Sequence, residues 1–396
     1  MSKILYIVSA RSFSIKNHMR KISDVIKVWN NVTEKLFCEF GGDYLSSKKS
    51  LNNSDFGHQD YYDSKIKTNK YLKFFVISIS EIKDIFHNIY MRYKLKIKYQ
   101  NIDLDLVVER SCRLHLQGLY ISKLKKIPYV LEWKDHLINY KFSIFKLYAK
   151  YIESLKIKHA SYIIVESEIL RQMLHKNGVP LNKIKVALNA VNYNLFSRNE
   201  KTRNQYRRIL NLKNSQIVIG YLGSYAFYHN VEMLIELAKI ILSKTSNFKF
   251  ILIGNGKDYK KCKDLAKSYK ILDDGLYMYD GVPQSEVPGF LSAMDFTILP
   301  GSTNIICPIK IMEYMASRTV VLAPNYSCIE EVIKNDYDGI LFDDNVEELS
   351  KKIINISNNL TLMNSLALNA ESKVKEKFTW EKTWGNVLID ITKSYE

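Results

Sequence analysis

Residues 308–342 read PIKIMEYMASRTVVLAPNYSCIEEVIKNDYDGILF. Pro308 suits the first position of a helix, where a missing N–H costs nothing. Gly301, Ser302, Thr303 and Asn304 ahead of it form a small polar run suited to a loop. Ile309, Ile311, Met312 and Met315 are apolar on more than one face, so the spacing predicts a short, largely buried helix over 308–316. Glu313 lies in the middle of that apolar surface. A buried carboxylate costs several kcal/mol unless something satisfies it. Glu313 therefore either caps backbone or pairs with a core lysine, or it accepts hydrogen bonds from the hydroxyls of a ligand. In the second reading the helix start at Ile309 and the charge of Lys310 hold the anion of that ligand. One helix would then read a diphosphate at its start and a ribose further along.

The residues that follow place this helix in an α/β unit. Residues 319–323, TVVLA, are a β-branched run expected to be a buried strand. Pro324-Asn325-Tyr326 is a turn, Ser327 and Glu330 have capping-box spacing for another helix, and Asp338-Gly339 turns the chain into a last strand at 340–342. Helix, strand, helix, strand in this order predicts a parallel sheet.

The stretch resembles the donor-site signature of family 4 glycosyltransferases, which have the GT-B fold. The family often carries two glutamates separated by seven residues. Glu313 matches the second, and Ile305 stands where the first would be. A branch with a Pro-x-Lys-x-x-Glu-Tyr-Met-Ala pattern also lacks that first glutamate, and Pro308–Ala316 is similar to it. A second match runs from Ala160 through Glu166-Ser167, Gly178-Val179 and residues 185–192 to Phe196. The resemblance covers about three quarters of the chain and is weakest before residue 104.

Length agrees with the two domains this implies, since 396 residues favour two over one. The expected fold class is α/β: two doubly wound Rossmann-like domains facing each other across a cleft. Residues 1–196 would bind the acceptor. Residues 197–215, polar and rich in Arg and Lys, would be a linker. Residues 216–376 would bind the nucleotide-sugar donor, and residues 377–396 would form a helix crossing back to the first domain, anchored by Trp380 and Trp384.

Strands are expected at 3–9, 74–77, 104–110, 127–133, 160–165, 217–222, 248–253 and 277–281, with amphipathic helices at 17–30, 81–99, 141–159 and 231–243. The strand at 127–133 ends in Lys134-Asp135-His136, at a carboxyl end where open α/β sheets place ligands. Asp135 and His136 are the first domain's candidates for contact with the acceptor or the transferred sugar, against helix capping by Asp135 and a surface His136. Arg11 and Arg110 come next. In the second domain the loop after 217–222 offers Gly223, Ser224 and His229, without the Arg–Lys pair the family usually places there. The resemblance puts Gly281 and Val282 against the base. Gly254-x-Gly256 is read as a turn rather than a phosphate loop.

The resemblance implies a retaining transfer with no cofactor and no metal. The acceptor hydroxyl would be deprotonated by the leaving phosphate, and Lys310, the helix start at Ile309 and Ser224 would stabilise that phosphate. It also suggests bacterial surface polysaccharide assembly on a glycan or lipid-linked saccharide, in the cytoplasm or at the cytoplasmic face of the inner membrane. Five scattered cysteines without a C-x-x-C pair fit a reducing compartment.

Three other readings compete: a sugar-nucleotide epimerase of the same fold, a catalytically silent glycosyltransferase-like binding protein, and a nucleic-acid module. The net charge of +17 admits the last, but the 308–316 helix would then have no purpose, and no nucleic acid is expected as a partner. The helices at 81–99 and 141–159 interleave lysines with aromatics. They are either ordinary surface helices with the apolar stripe inward or elements that lie on an anionic membrane surface.

Overall fold

The structure is a computed structural model and describes residues 2–9, 16–41, 70–134 and 143–395. The chain divides into two compact units. One comprises Met1–Ala187 with Trp384–Glu396, the other Leu188–Thr383. Each is built on a six-stranded sheet whose strands all pair in parallel.

The first unit's sheet uses β1 (Lys3–Ser9), β2 (Lys35–Gly41), β3 (Leu106–Arg110), β4 (Tyr129–Glu132), β5 (Tyr162–Val165) and β6 (Ile184–Val186). Their order is β2-β1-β3-β4-β5-β6. β1 and β3 are buried almost end to end, as strands covered on both faces must be. The C-terminal segment belongs to this unit. Trp384 is fully buried, and its carbonyl accepts the indole N–H of Trp29 at 2.9 Å.

The second unit's sheet uses β7 (Ile217–Leu222), β8 (Phe248–Ile253), β9 (Leu276–Tyr279), β10 (Phe296–Ile298), β11 (Val320–Pro324) and β12 (Ile340–Phe342). Their order is β12-β11-β10-β7-β8-β9. The chain winds outward from β7 in one direction to β9, then returns to β10 on its other side and winds to β12. The strand order therefore reverses between β7 and β10, the switch point where doubly wound sheets open a crevice beyond their carboxyl ends. Two Rossmann-like parallel-sheet domains are thus present.

Several expectations are corrected. Residues 74–77 are not a strand; they lie within one long helix, Lys70–Tyr99. A short apolar run cannot be told from a strand by periodicity alone. The strand Lys35–Gly41 was not anticipated. The 197–215 stretch is not a bare linker, because Glu200–Ile209 form a helix of the second unit. Two of its arginines, Arg203 and Arg207, are internal ligands. Arg203 meets Asp295 at 2.6 Å, and Arg207, which is buried, meets the other carboxylate oxygen at 3.3 Å and donates to the carbonyls of Lys213 and Gln216. Asp295 also accepts the Val218 amide at 2.8 Å. Sequence composition reads such arginines as solvated, whereas a carboxylate and several carbonyls satisfy them here. Ser327 begins only a four-residue helix without a side-chain cap, so the capping box does not form. The last segment starts as a wide π turn, Glu381–Gly385, before the helix Asn386–Lys393.

Candidate functional site

The 309–316 helix sits beside the switch point. It runs Ile309–Ala316, with Pro308 one position earlier than expected, as its extended N-cap at ψ 143° and with no side-chain cap bond. First-turn N–H groups of a helix have no i−4 partner within it, and here the Ile311 N–H donates to the Pro308 carbonyl at 3.0 Å. Asn189 Nδ2 donates to the Cys307 carbonyl at 2.9 Å and so fixes the chain entering the helix. Tyr314 fixes the other side. Its hydroxyl accepts the Leu222 amide at 3.0 Å and donates to the Leu222 carbonyl at 3.1 Å, which ties the helix to the end of β7.

Immediately past that tie, Gly223 turns the chain. A Cβ on Gly223 would come 2.3 Å from Lys310 Nζ and 2.7 Å from the Tyr221 hydroxyl. The amine of Lys310 therefore lies directly against the Gly223 backbone. It also sits 5.1 Å from the centre of the Tyr221 ring, a cation–π arrangement. The stem of Lys310 is partly exposed, but the amine itself is buried and has no hydrogen-bond partner among the described residues. Burial lowers its pKa to about 8, and the charge of Glu313 opposes that shift. At neutral pH the amine is therefore still predominantly an ammonium, out of water, with its donors uncommitted.

The remaining second-unit candidates fall around it unevenly. His229 is buried, and its Nδ1 donates to the Gly301 carbonyl at 3.0 Å. This bond links the loop after β7 to the loop after β10, across the switch point. Burial, aided by the charge of Lys310, lowers the His229 pKa to about 4, so the ring is neutral at pH 7. Glu313 is buried on the same helix, close enough to act electrostatically on Lys310. Ser224 is exposed next to Gly223, and its carbonyl accepts the Tyr221 hydroxyl at 2.7 Å. Ile309 opens the helix. Gly281, at φ +79°, and Val282 follow β9, at the same edge but two strands from β7. Asp135, His136 and Arg11 lie outside the described residues. Arg110 is buried in the first unit, where it pairs with Glu132.

Sequence reasoning missed the supporting residues. Gly254, at φ +137°, lies so close beneath the turn that a Cβ there would fall 1.9 Å from the Gly223 carbonyl oxygen, and a Cβ on Gly256 would meet the backbone of Tyr225. The pair turns the chain, as expected, and in doing so carries the Gly223–Tyr225 loop. Tyr221 was also unread, and Gly301 and Tyr314 were read only as part of a loop and of a motif, without their bonds to His229 and Leu222. The signal for Gly254 and Gly301 is their place just past the carboxyl ends of β8 and β10.

The arrangement provides a buried cation, an uncapped helix start and a backbone turn at a switch point. Residues 202–373 match the family model described as glycosyl transferases group 1. That stretch is similar to the group 1 glycosyl transferases. Every residue of the cluster around Lys310 lies inside it. An uncharacterized glycosyltransferase of Methanocaldococcus jannaschii is 25% identical over 335 residues, covering 81% of this chain and 82% of its own length. The capsular polysaccharide biosynthesis glycosyltransferase CapM of Staphylococcus aureus is 24% identical over 248 residues, with 61% and 64% covered. Among solved structures, HepE of Anabaena in complex with UDP superposes with a TM-score of 0.73 at 15% identity, covering 99% of this chain and 100% of that one. At that identity the likeness speaks for the fold, which is that of the GT-B glycosyltransferases.

Proposed function

We propose that this chain is a retaining family 4 glycosyltransferase that moves a sugar from a nucleotide-sugar donor to a glycan or lipid-linked saccharide acceptor. The setting we favour is assembly of bacterial surface polysaccharide at the cytoplasmic face of the membrane. The observation that carries this reading is the Lys310 ammonium, buried against Gly223 at the switch point without a hydrogen-bond partner among the described residues. An unpaired buried cation is costly, and an anionic ligand would offset that cost. A diphosphate there would meet the ammonium and the first-turn N–H groups of the Ile309–Ala316 helix together. Glu313, further along the helix, would accept the ribose hydroxyls. The CapM likeness and the UDP complex of HepE are in keeping with such a donor.

In the transfer, the bond from the sugar's anomeric carbon to the diphosphate oxygen breaks and a bond to the acceptor oxygen forms on the same face. The acceptor's proton passes to the departing phosphate. Charge develops on that phosphate, so preorganised donors that meet it there lower the barrier. Neutral His229 adds no second positive charge at pH 7. No metal is needed to hold the diphosphate in this scheme. Asp135 and His136 would contact the acceptor or the transferred sugar.

The test separates donor binding from transfer. Asp135→Asn and His136→Ala should bind nucleotide nearly as well as the parent and lose most of the transfer rate, because transition-state contacts at the reacting centre govern the rate. The assay mixes nucleotide sugars with membrane saccharide extracts and follows release of nucleoside diphosphate. Transfer at the parental rate by both variants would remove these residues from the site. Release of an epimerised donor without transfer would replace the transferase reading altogether.

A further inference from the structure

The Lys70–Tyr99 helix is oriented against the usual rule. Its inward face carries Ser78, Glu81, Asp84 and Asn88 with the part-buried Ile85, and among the described side chains full apolar burial begins at Met91, Leu95 and Tyr99. Its outward face carries Phe75, Ile79, Ile82, Phe86, Ile89, Tyr93 and Ile97, all exposed. These positions recur every three or four residues, so they form one continuous stripe, about 33 Å long at 1.5 Å per residue. Phe75 is 63% exposed, Phe86 69% and Tyr93 65%. Isolated exposed apolar residues are ordinary, whereas a continuous stripe of this length marks an interaction surface.

Specific polar contacts hold the helix this way round. Glu81 pairs with Arg113 at 2.8 Å and accepts the Phe145 amide at 3.4 Å. Asn88 accepts the Leu116 amide at 3.1 Å. Rotating the stripe inward would bury its side chains at the expense of all three contacts. The second bond also places the start of the Lys146–His159 helix beside Glu81. Ile85 and Phe145 pack on one small cluster with Leu114, Ala149 and Ile152. That second helix exposes Leu147, at 81%, with Tyr148 and Tyr151, and Ile144 just before it is exposed as well.

Charge selects the occupant. On the long helix Glu81 and Asp84 are buried, while Lys83, Lys94, Lys96 and Lys98 are exposed, the last paired with Glu39. On the second helix the one carboxylate, Glu153, accepts the Trp133 indole at 2.8 Å, and the exposed charges are Lys146, Lys150 and Lys158. The acids face in and the lysines flank the apolar stripe. A second copy of this face would bring lysines against lysines. An aromatic and aliphatic stripe flanked by lysines is the pattern of a helix lying in a bilayer interface, with lysine stems extended so that the ammonium groups reach anionic headgroups.

We propose that these two helices dock the first unit onto a membrane surface bearing anionic phospholipid, with the stripe Phe75–Ile97 inserted at the headgroup boundary. The inference stands on the first unit alone and does not depend on the transfer reading. The full-length protein would be floated with phosphatidylcholine vesicles and with vesicles containing added phosphatidylglycerol. It should partition onto the anionic vesicles, less so at high salt. Phe86→Ser combined with Tyr93→Ser should abolish binding, and Lys94→Gln and Lys96→Gln should each weaken partitioning about fivefold. Circular dichroism melts, with the parental profile expected for these surface variants, confirm that lost binding is not lost fold. Equal recovery with neutral and anionic vesicles would overturn the proposal, as would stripe variants that float like the parent. So would a dimer in sedimentation velocity that the Phe86 and Tyr93 substitutions dissolve. Nucleotide binding measured on the same variants should match the parent, so this surface and the transfer reading fail separately.

Discussion

At Lys310, burial and charge pull in opposite directions, and the amine settles with a pKa of about 8. The sequence showed a lysine three residues before a glutamate on an apolar helix. It did not show Tyr221 beneath the amine or Gly223 beside it, because those contacts arise only when β7 and the helix are brought together. Glu313 was more legible, since a carboxylate amid isoleucine and methionine must be explained by any fold. If Glu313 accepts ribose hydroxyls, Glu313→Gln should lower nucleotide affinity by roughly 1.5–3 kcal/mol, the range for hydrogen bonds to charged groups, as read by calorimetry. Unchanged affinity for every nucleotide that the parent binds would refute that role. His229 gives a pH test. Its folded pKa, about 4, lies below the ordinary value of 6.5. The unfolded chain therefore binds the proton first, and stability falls as pH drops from about 6.5 toward 4. His229→Asn should remove that part of the slope in melting temperature against pH. A variant as steeply acid-sensitive as the parent would show that the ring is not buried neutral.

At the level of elements, the central strands were readable because their apolar runs are continuous, and the 309–316 helix because its apolar residues fall on more than one face just after Pro308. Two elements were not. The Glu200–Ile209 helix read as linker because Arg203 and Arg207 meet Asp295 and the carbonyls of Ser292, Ala293 and Met294, all distant in sequence. The Lys70–Tyr99 helix broke at 74–77 in the sequence reading, and its outward apolar face follows from contacts of Glu81 and Asn88 that no periodicity encodes. Loops past β7 and β8 form a stacked pair, and this leads to a prediction about Gly254. Gly254→Ala would place a methyl 1.9 Å from the Gly223 carbonyl oxygen at a φ of +137° that alanine disfavours. Displacing that turn should move Gly223 away from Lys310. Nucleotide affinity should then fall at least about tenfold, together with some loss of thermal stability. Gly223→Ala, which meets the flexible end of Lys310 and the Tyr221 hydroxyl, should lower affinity with a smaller stability cost. Parental affinity in both would mean the turn does not shape the site.

For the whole molecule, division into two parallel α/β units was legible from length and from the order of strands and helices, while the return of Trp384–Glu396 to the first unit is fixed by contacts such as Trp29 with the Trp384 carbonyl. Net charge of +17 was ambiguous as a total, and only the placement of lysines around an apolar stripe gave it a direction. The account rests on one claim, that the second unit holds a nucleoside diphosphate through the buried ammonium of Lys310. That ammonium titrates at about pH 8 and should be stabilised by a bound diphosphate. Binding should therefore take up a proton above pH 8, and affinity should fall toward about tenfold per pH unit beyond it. The most direct measurement is calorimetric titration of the parent and Lys310→Met with the common nucleoside diphosphates, between about pH 7 and pH 10. The account predicts that at least one binds the parent, that its affinity declines above about pH 8, and that Lys310→Met binds more weakly and without that decline. Absence of binding by every diphosphate, or the same affinity and pH profile in parent and variant, would contradict it.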